Sequence, residues 1–289
     1  MFSLKVENAT GAGLTLTGKE GQYQVIKIEG LNPAPAQINT TAIANLDGSL
    51  FNSSRLESKN IVITIRINGD VETNRQRLYD YFPTKERVKL YYSNENRDVY
   101  IDGYVETLEC DLFNISELAQ ISVLCPDPYF SSVEEMVSDI SNTLALFYFP
   151  FAIDYNDPVP ISEFENSRVS NVYNDGSSET GVIVDIIARS DFDSIEIRRI
   201  VEGEDGEKIK LVYPFLENDE IIINTNKGHK SVYLIRDSQR TNLFTAVERG
   251  SVFFQLRAGD NLFGYLLDGS TENEEVSIRF LWRTIYRGV

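Results

Sequence analysis

The chain has few of the residue types that most often carry chemistry. Its 289 residues include one histidine, two cysteines and one tryptophan. A catalytic triad or a multi-histidine metal site would depend on His229 alone, which lies in a polar turn at residues 226–230. We therefore expect no catalytic residues, no metal site and no cofactor. A glycosidase-type carboxylate pair stays open, because acidic residues are abundant and their separation is not given by the sequence.

The two cysteines are expected to be buried thiols. Cys110 and Cys125 lie at the ends of a predicted hairpin in which residues 105–109 pair with residues 119–124. Free cysteine is among the most buried residue types, and a reducing cytosol disfavours a disulfide. Neither cysteine has a second Cys or a His at metal-ligand spacing.

Long apolar runs are absent as well. No run of about eighteen apolar residues occurs, so no membrane-spanning helix and no membrane partner are predicted. The first six residues alternate as in a strand and lack the charged and apolar regions of a secretory signal. We expect the protein to be made and kept in a cytosol.

Positive charge is scarce, and this bears on nucleic-acid binding. The chain has 27 Lys and Arg against 44 Asp and Glu, with 12 against 17 in residues 1–130 and 15 against 27 in residues 131–289. Such a surface repels a phosphate backbone, so specific nucleic-acid binding is disfavoured. An acidic surface would also let a moving DNA slide past without sticking. Solubility explains the acidity equally well. If DNA binds despite the overall charge, we expect it to bind at a local basic strip. This strip consists of Arg75, Arg77, Lys85, Arg87 and Lys89.

The first half of the chain reads as β-rich with one helix. In residues 61–67 the isoleucines at alternate positions predict a half-buried strand. Residues 71–82 predict a helix with Asp70 as its N-cap and Pro83 as its stop, and Val71, Leu78 and Phe82 would form its buried stripe.

The second half carries a separate series of short strands. Turn signals punctuate this series, which predicts an antiparallel sandwich. The predicted strands are residues 181–188, 194–201, 208–213, 220–224, 231–236, 252–256, 262–267 and 275–282. Because composition also changes after residue 130, we expect two domains, residues 1–145 and residues 146–289.

The order of these segments resembles the distal tail (Dit) family of tailed bacteriophages, also called siphovirus-type tail components. In the first half the resemblance rests on residues 30–33, 47–51, 61–67 and 121–130. In the second half it rests on residues 172–176, 219–224, 256–261 and 286–289. It implies a mostly β fold with minor α. The N-terminal domain would be a tail-tube-like split β-barrel or sandwich, and the C-terminal domain a galectin-like or carbohydrate-module-like antiparallel β-sandwich.

The resemblance also implies a function. A family member is a structural protein at the virion tail tip, typically a hexameric ring assembled in the bacterial cytoplasm. It joins the tail tube protein to the tail-associated hub protein and, in many phages, to receptor-binding proteins. The equivalent baseplate or tail-tip component of a contractile phage or tail-like bacteriocin is an alternative.

A carbohydrate-binding module for host adsorption is the other alternative. Such sites stack a sugar on an exposed Trp or Tyr, but the only tryptophan, Trp282, lies in an alternating apolar strand. Core packing is the expected role of a large aromatic residue in that position.

One segment suggests a contact surface. Residues 39–60 read as a long polar loop, yet this loop contains Leu50 and Phe51 directly after an Asp47-Gly48 turn. We interpret Leu50 and Phe51 as candidate contacts with a neighbouring subunit, since aromatic and aliphatic side chains anchor interfaces. Packing inside their own domain is the alternative.

Overall fold

The computed structural model divides into two units. It describes residues 2–16, 21–44, 47–111, 117–139, 143–145, 162–164, 169–201, 206–269 and 276–289. Unit 1 contains Met1–Glu134 and Ile285–Val289, and unit 2 contains Glu135–Thr284. The units divide between Glu134 and Glu135, whereas the sequence predicted a boundary between residues 145 and 146, next to residues outside the described ranges.

The elements are almost all β-strands. The first set is β1 (Ser3–Asn8), β2 (Gly13–Leu16), β3 (Tyr23–Glu29), β4 (Ala36–Ala42), β5 (Ser49–Leu56), β6 (Lys59–Ile67), α1 (Val71–Tyr81), β7 (Arg87–Ser93), β8 (Asp98–Cys110), β9 (Leu118–Cys125) and β10 (Phe130–Ser132). The second set is β11 (Met136–Asp139), β12 (Thr143–Ala145), β13 (Ser162–Phe164), β14 (Val169–Asn174), β15 (Ile183–Ala188), β16 (Phe192–Arg199), β17 (Lys208–Phe215), β18 (Glu220–Asn224), β19 (Ser231–Arg236), β20 (Gln239–Asn242), a 3-10 turn (Phe244–Ala246), β21 (Gly259–Asp268), β22 (Val276–Trp282) and β23 (Ile285–Tyr286).

Unit 1 is one antiparallel sheet curled around a single core. The strand order is β2-β1-β7-β8-β9-β6-β3, with β10 and β23 attached beside β8. The edge strands β2 and β3 contact each other, so both ends of the sheet contribute to the same core. In β6 the side chains of Ile61, Ile63, Ile65 and Ile67 are all buried, as the alternation predicts.

Helix α1 packs against this core as predicted. The Asp70 carboxylate accepts a hydrogen bond from the Thr73 amide at 3.4 Å and caps the helix. Leu78 and Phe82 are buried and Val71 is partly buried against the core. Three positions of the apolar stripe therefore fix the helix on the sheet.

Both cysteines are free thiols in unit 1. The predicted hairpin is confirmed by the pairing of β8 with β9, which brings Cys110 opposite Ala119. Cys125 is buried, and that burial raises the pKa of its thiol to about 12. A thiol with that pKa stays protonated and unreactive near neutral pH.

The last five residues belong to unit 1, although they follow the second strand series. Strand β23 pairs with β10. The buried Lys59 ammonium donates to the Arg287 carbonyl at 3.0 Å, and Arg97 donates to the Gly288 carbonyl at 2.6 Å. Two cationic side chains thus hold the final segment on the sheet.

Unit 2 contains two sheets packed over one core, which is the predicted sandwich. The strand orders are β11-β22-β15-β18-β19-β20 and β14-β21-β16-β17, with antiparallel pairing throughout. Inward-facing residues of both sheets, such as Val184 and Ile197, form one apolar cluster. The predicted strands at residues 220–224 and 231–236 have the observed bounds of β18 and β19. Strands β12 and β13 form a separate two-stranded sheet.

The strand predicted at residues 252–256 is wrong. The Val252 amide donates to the Lys208 carbonyl on one sheet, whereas Leu256 pairs with Thr180, which precedes β15 on the other sheet. The segment therefore crosses between the sheets and does not form a ladder along either one. Burial of Phe254 and Leu256 explains why its composition resembles a strand.

No helix among the described residues is long and apolar enough to cross a membrane.

A buried ion pair in unit 2 yields a testable prediction. Asp219 is buried, and Arg236 on β19 binds it through two hydrogen bonds of 2.8 and 2.6 Å. Burial opposes ionisation of Asp219, yet the hydrogen bonds from Arg236 and from the Leu216 amide outweigh it and lower the pKa of this carboxyl. Because the Arg236 side chain is partly exposed, we expect Asp219→Asn to reduce the free energy of unfolding at pH 7 by about 2–3 kcal/mol, the scale of hydrogen bonds to a charged group.

The loss of unfolding free energy in Asp219→Asn should become smaller as the pH falls. The Asp219 carboxylate stabilises the fold above its unfolded pKa of about 3.9, and this contribution is lost as the pH falls through the lower folded pKa. Denaturant unfolding measures the free energies of unfolding of Asp219→Asn and the natural chain. The difference between them should be smaller at pH 3 than at pH 7. As a control, Glu179→Gln removes the exposed partner of Lys227 and should change stability by less than about 0.5 kcal/mol. An equal loss for both variants would contradict the prediction.

Candidate functional site: an exposed amphipathic hairpin

The segment predicted as a loop at residues 39–60 is mostly a β-hairpin. Strands β4 and β5 pair antiparallel from Ala36 opposite Leu56 to Ala42 opposite Ser49. Gly48 adopts a φ of 90° in the connecting turn. The loop interpretation was wrong because Asn, Thr and Ser dominate the strands and hide their alternation. Leu46 lies outside the described residues.

The hairpin leaves the main sheet of unit 1 between two paired strands. It connects β3 with β6, and these strands pair with each other in the main sheet. Gly30 is required where the chain leaves β3, because its φ is 86° and a Cβ there would lie 2.1 Å from the Asn60 carbonyl oxygen. The Glu57 amide donates to the Pro35 carbonyl and closes the base of the hairpin.

The hairpin has no core of its own. All seven residues of β4 and all eight of β5 are exposed. The two strands form a separate two-stranded sheet, and such a sheet is marginally stable in water unless something packs on it. At about 3.3 Å per residue it is roughly 25 Å long.

One face of the hairpin is apolar. Positions 36, 38, 40 and 42 of β4 share a face, and the register brings Leu56 and Phe51 to it. Phe51 is 61% exposed and Ile38 is 62% exposed. Burying such side chains against a partner contributes about 1.5–3 kcal/mol each. Thr40, Ser49 and Ser54 share this face. We name its five apolar residues the apolar hairpin face; they are Ala36, Ile38, Ala42, Phe51 and Leu56.

The opposite face is polar and holds the two strands together through side chains. Cross-strand hydrogen bonds join Arg55 to Gln37 at 2.8 Å, Asn39 to Ser53 at 3.0 Å and Asn52 to Thr41 at 2.7 Å. Leu50 lies on this face and is 58% exposed. The neighbours Leu50 and Phe51 therefore have similar exposure but point to opposite faces.

A β-bulge determines which face Phe51 joins. The register shifts between Asn39 and Thr40, so that β5 has one extra residue, Asn52. Without the shift Phe51 would lie opposite Thr41 on the polar face, because a one-residue slip moves every later side chain to the other face. The bulge thus gathers Phe51 with Ile38 and Leu56, a feature that periodicity alone could not reveal.

Two of the five cations in the basic strip predicted from the sequence pair with carboxylates. Arg87 lies 2.9 Å from the Asp102 carboxylate, and Arg75 pairs with Glu72. Lys89 lies over the Tyr100 ring at 4.6 Å. A hydrogen bond from Arg75 lowers the pKa of the Glu72 carboxyl. Arg75, Arg87 and Lys89 are therefore already partnered by acidic or aromatic groups.

The other residues singled out in the sequence do not converge on a site. His229 is exposed in its turn, where its amide donates to the Asn226 carbonyl. Trp282 is 6% exposed in the core of unit 2, as expected. Within the described ranges, no three His, Cys, Asp or Glu side chains are grouped so that they could hold a metal ion.

Solved structures with the same fold come from phage tails. The chain aligns over 98% of its length with 99% of phage SPP1 Dit, described as a paradigm of the hub adsorption apparatus in phages infecting Gram-positive hosts, with 14% identity and a TM-score of 0.70. Two structures of the phage P2 baseplate in its activated conformation, with Ca and with Sr, align with 13% identity and TM-scores of 0.53 and 0.52. These alignments cover 98% and 97% of this chain and 98% of each baseplate chain. No curated protein sequence matches the chain significantly.

Two family models match the sequence in succession. Residues 17–125 match the phage tail protein RIFT-related domain. Residues 175–283 match the C-terminal domain of the siphovirus-type tail component, Dit. The first match lies within unit 1 and the second within unit 2. Because the two matches together span most of the chain, it belongs to the Dit family of siphovirus-type tail components.

Proposed function

We propose that this protein is the distal tail protein of a phage, a structural ring at the tail tip without catalytic activity. Six copies form the ring, which joins the tail tube to the hub protein and to receptor-binding proteins. Family membership supports the tail location. The apolar hairpin face is the main observation that supports a ring, because it is exposed to solvent in a single chain.

A ring also explains why the hairpin projects from one unit. Closed rings need heterologous contacts, in which one surface of a subunit meets a different surface of the next. The apolar hairpin face supplies one such surface, with Phe51 as its aromatic anchor. Leu50 would contribute less, since it lies among the hydrogen-bonded polar side chains.

Sugar binding has less support. The tryptophan considered as a stacking platform is buried. The exposed apolar hairpin face is the feature that supports a structural protein.

The neighbouring residues Leu50 and Phe51 provide a matched test. We expect Phe51→Asp to reduce incorporation into tails at least about tenfold, because losing an interface anchor costs roughly 2 kcal/mol or more. Leu50→Asp adds the same charge at similar exposure on the polar face and should reduce incorporation much less. Complementation of a phage lacking the gene, followed by quantification of the protein in purified tails, measures both.

Stability of the isolated chain provides the control. Both substitutions lie at exposed positions and should change the free energy of unfolding by no more than about 0.5 kcal/mol. Equal assembly defects for the two variants would contradict a face-specific contact. A large stability loss for Phe51→Asp would show that the hairpin packs within its own chain.

A second prediction concerns DNA. In the proposed ring, unit 1 would line the channel through which the genome passes. Its acidic residues outnumber its basic ones, and Arg75 and Arg87 pair with carboxylates. We expect the purified protein to bind a 20-base-pair duplex more weakly than about 100 µM at physiological salt, as measured by fluorescence anisotropy. Removing the partner carboxylates in Glu72→Gln with Asp102→Asn should strengthen binding at low salt. Salt-sensitive micromolar binding by the natural chain would contradict this expectation.

A further inference from the structure

The hairpin is joined to the main sheet of unit 1 by two short legs. The first leg, residues 30–35, follows β3, and the second leg, residues 57–59, leads into β6. Because the hairpin has no core of its own, its direction depends on these legs. A rotation of about 10° at the base would move a tip about 25 Å away by about 4 Å, the separation of two side chains in contact. A contact made by the hairpin therefore requires legs that are held firmly.

A short strap of unit 1 binds the first leg. The strap is residues 285–289, which follow unit 2 in the sequence. The Val289 amide donates to the Leu31 carbonyl at 3.1 Å. A Cβ at Gly288 would lie 3.0 Å from the Leu31 carbonyl oxygen and 3.0 Å from Pro33 Cδ. The backbones of the strap and the first leg are therefore in direct contact.

The strap also binds the second leg, through Lys59. The Lys59 side chain is 2% exposed, and its ammonium donates to the Arg287 carbonyl at 3.0 Å. The same ammonium lies 4.3 Å from the centre of the Phe130 ring. A buried ammonium is costly without such partners, so the charge of Lys59 favours the bound position of the strap. Adjacent residues of the strap thus hold different legs, since Gly288 and Val289 contact the first.

The strap is itself anchored away from the legs. Strand β23 within it pairs with β10. Arg97, in the turn between β7 and β8, donates to the Gly288 carbonyl at 2.6 Å and lies 4.4 Å from the centre of the Tyr286 ring. Leu31, Tyr286 and Val289 all pack against the core of unit 1. The strap therefore links the legs of the hairpin to the rigid part of the unit.

We propose that the strap is the positioning element of the hairpin, which holds both legs and sets the direction in which the hairpin leaves the main sheet. Lys59 is the positioning residue for the second leg. The contacts described above are with the legs and not with the apolar hairpin face, so the strap acts on that face indirectly. Positioning is a property of the single chain, whereas its consequence, that the face reaches the adjacent copy, rests on the proposed function.

The distance between two spin labels tests the proposal in the purified chain. Nitroxide labels are attached at Leu50→Cys on the hairpin and Thr15→Cys on β2, both exposed positions, and Cys110→Ser removes the partly buried native thiol. Double electron–electron resonance measures the distribution of label distances. We expect deletion of residues 287–289 to broaden this distribution at least about twofold, because both legs lose their partner. Lys59→Met removes the donor and keeps the apolar length, so it should broaden the distribution less.

Tyr23→Phe is the matched control. It also removes a hydrogen bond from a buried side chain to a carbonyl, here that of Asn74 on helix α1 at 2.8 Å, and should leave the distribution unchanged. Equal widths for the natural chain and the deletion would overturn the proposal, as would equal broadening by Tyr23→Phe and Lys59→Met. Slow hydrogen exchange in β6 and β9 shows that unit 1 is folded in each variant. If the deletion disrupts unit 1, an unchanged width in Lys59→Met overturns the proposal instead.

The outcome is separate from that of the proposed ring, because the distance measurement needs no tail. Incorporation of Lys59→Met into purified tails then tests the consequence for assembly. A broadened distribution with reduced incorporation supports both proposals. A broadened distribution with normal incorporation supports positioning by the strap and contradicts the hairpin as the ring contact.

Discussion

Successive side chains of a β-strand point to opposite faces, and nearly every surface of this protein follows from that constraint. In β6 the alternation buries four isoleucines in the core of unit 1. In the hairpin the same alternation divides Phe51 from Leu50 and gives one apolar and one polar face. A single extra residue, Asn52, decides which of the two neighbours joins Ile38.

The described residues therefore form two buried cores and one apolar surface that is exposed in the single chain. The cores fill the interiors of the curled sheet and the sandwich. The apolar hairpin face does not stabilise an isolated chain in water, where exposed apolar area is unfavourable. Such a face is expected in a component whose final environment is an assembly. Membership of a phage tail family agrees with that view.

Much of the fold could be predicted from the sequence, because its main strands and helix carry strong local signals. The alternating isoleucines of β6, the Asp70 cap of α1 and the bounds of β18 and β19 all agree with the structure. Leu50 and Phe51 were found as exposed apolar residues after a Gly turn, but their division between two faces required the register. Composition could not show the hairpin itself, since Thr, Ser and Asn are as common in loops as on a solvated sheet. The attachment of residues 285–289 to unit 1 depends on distant partners such as Lys59 and Arg97, which no local pattern encodes.

We propose that six copies of this chain close into a ring through the apolar hairpin face. Electron cryomicroscopy of purified tails, with the six-fold symmetry tested and not imposed, addresses it most directly. We expect a ring of six copies at the tail tip in which Phe51 and Ile38 are buried against the adjacent copy. A dimeric unit in the tail, or a ring that leaves both side chains in solvent, would contradict it.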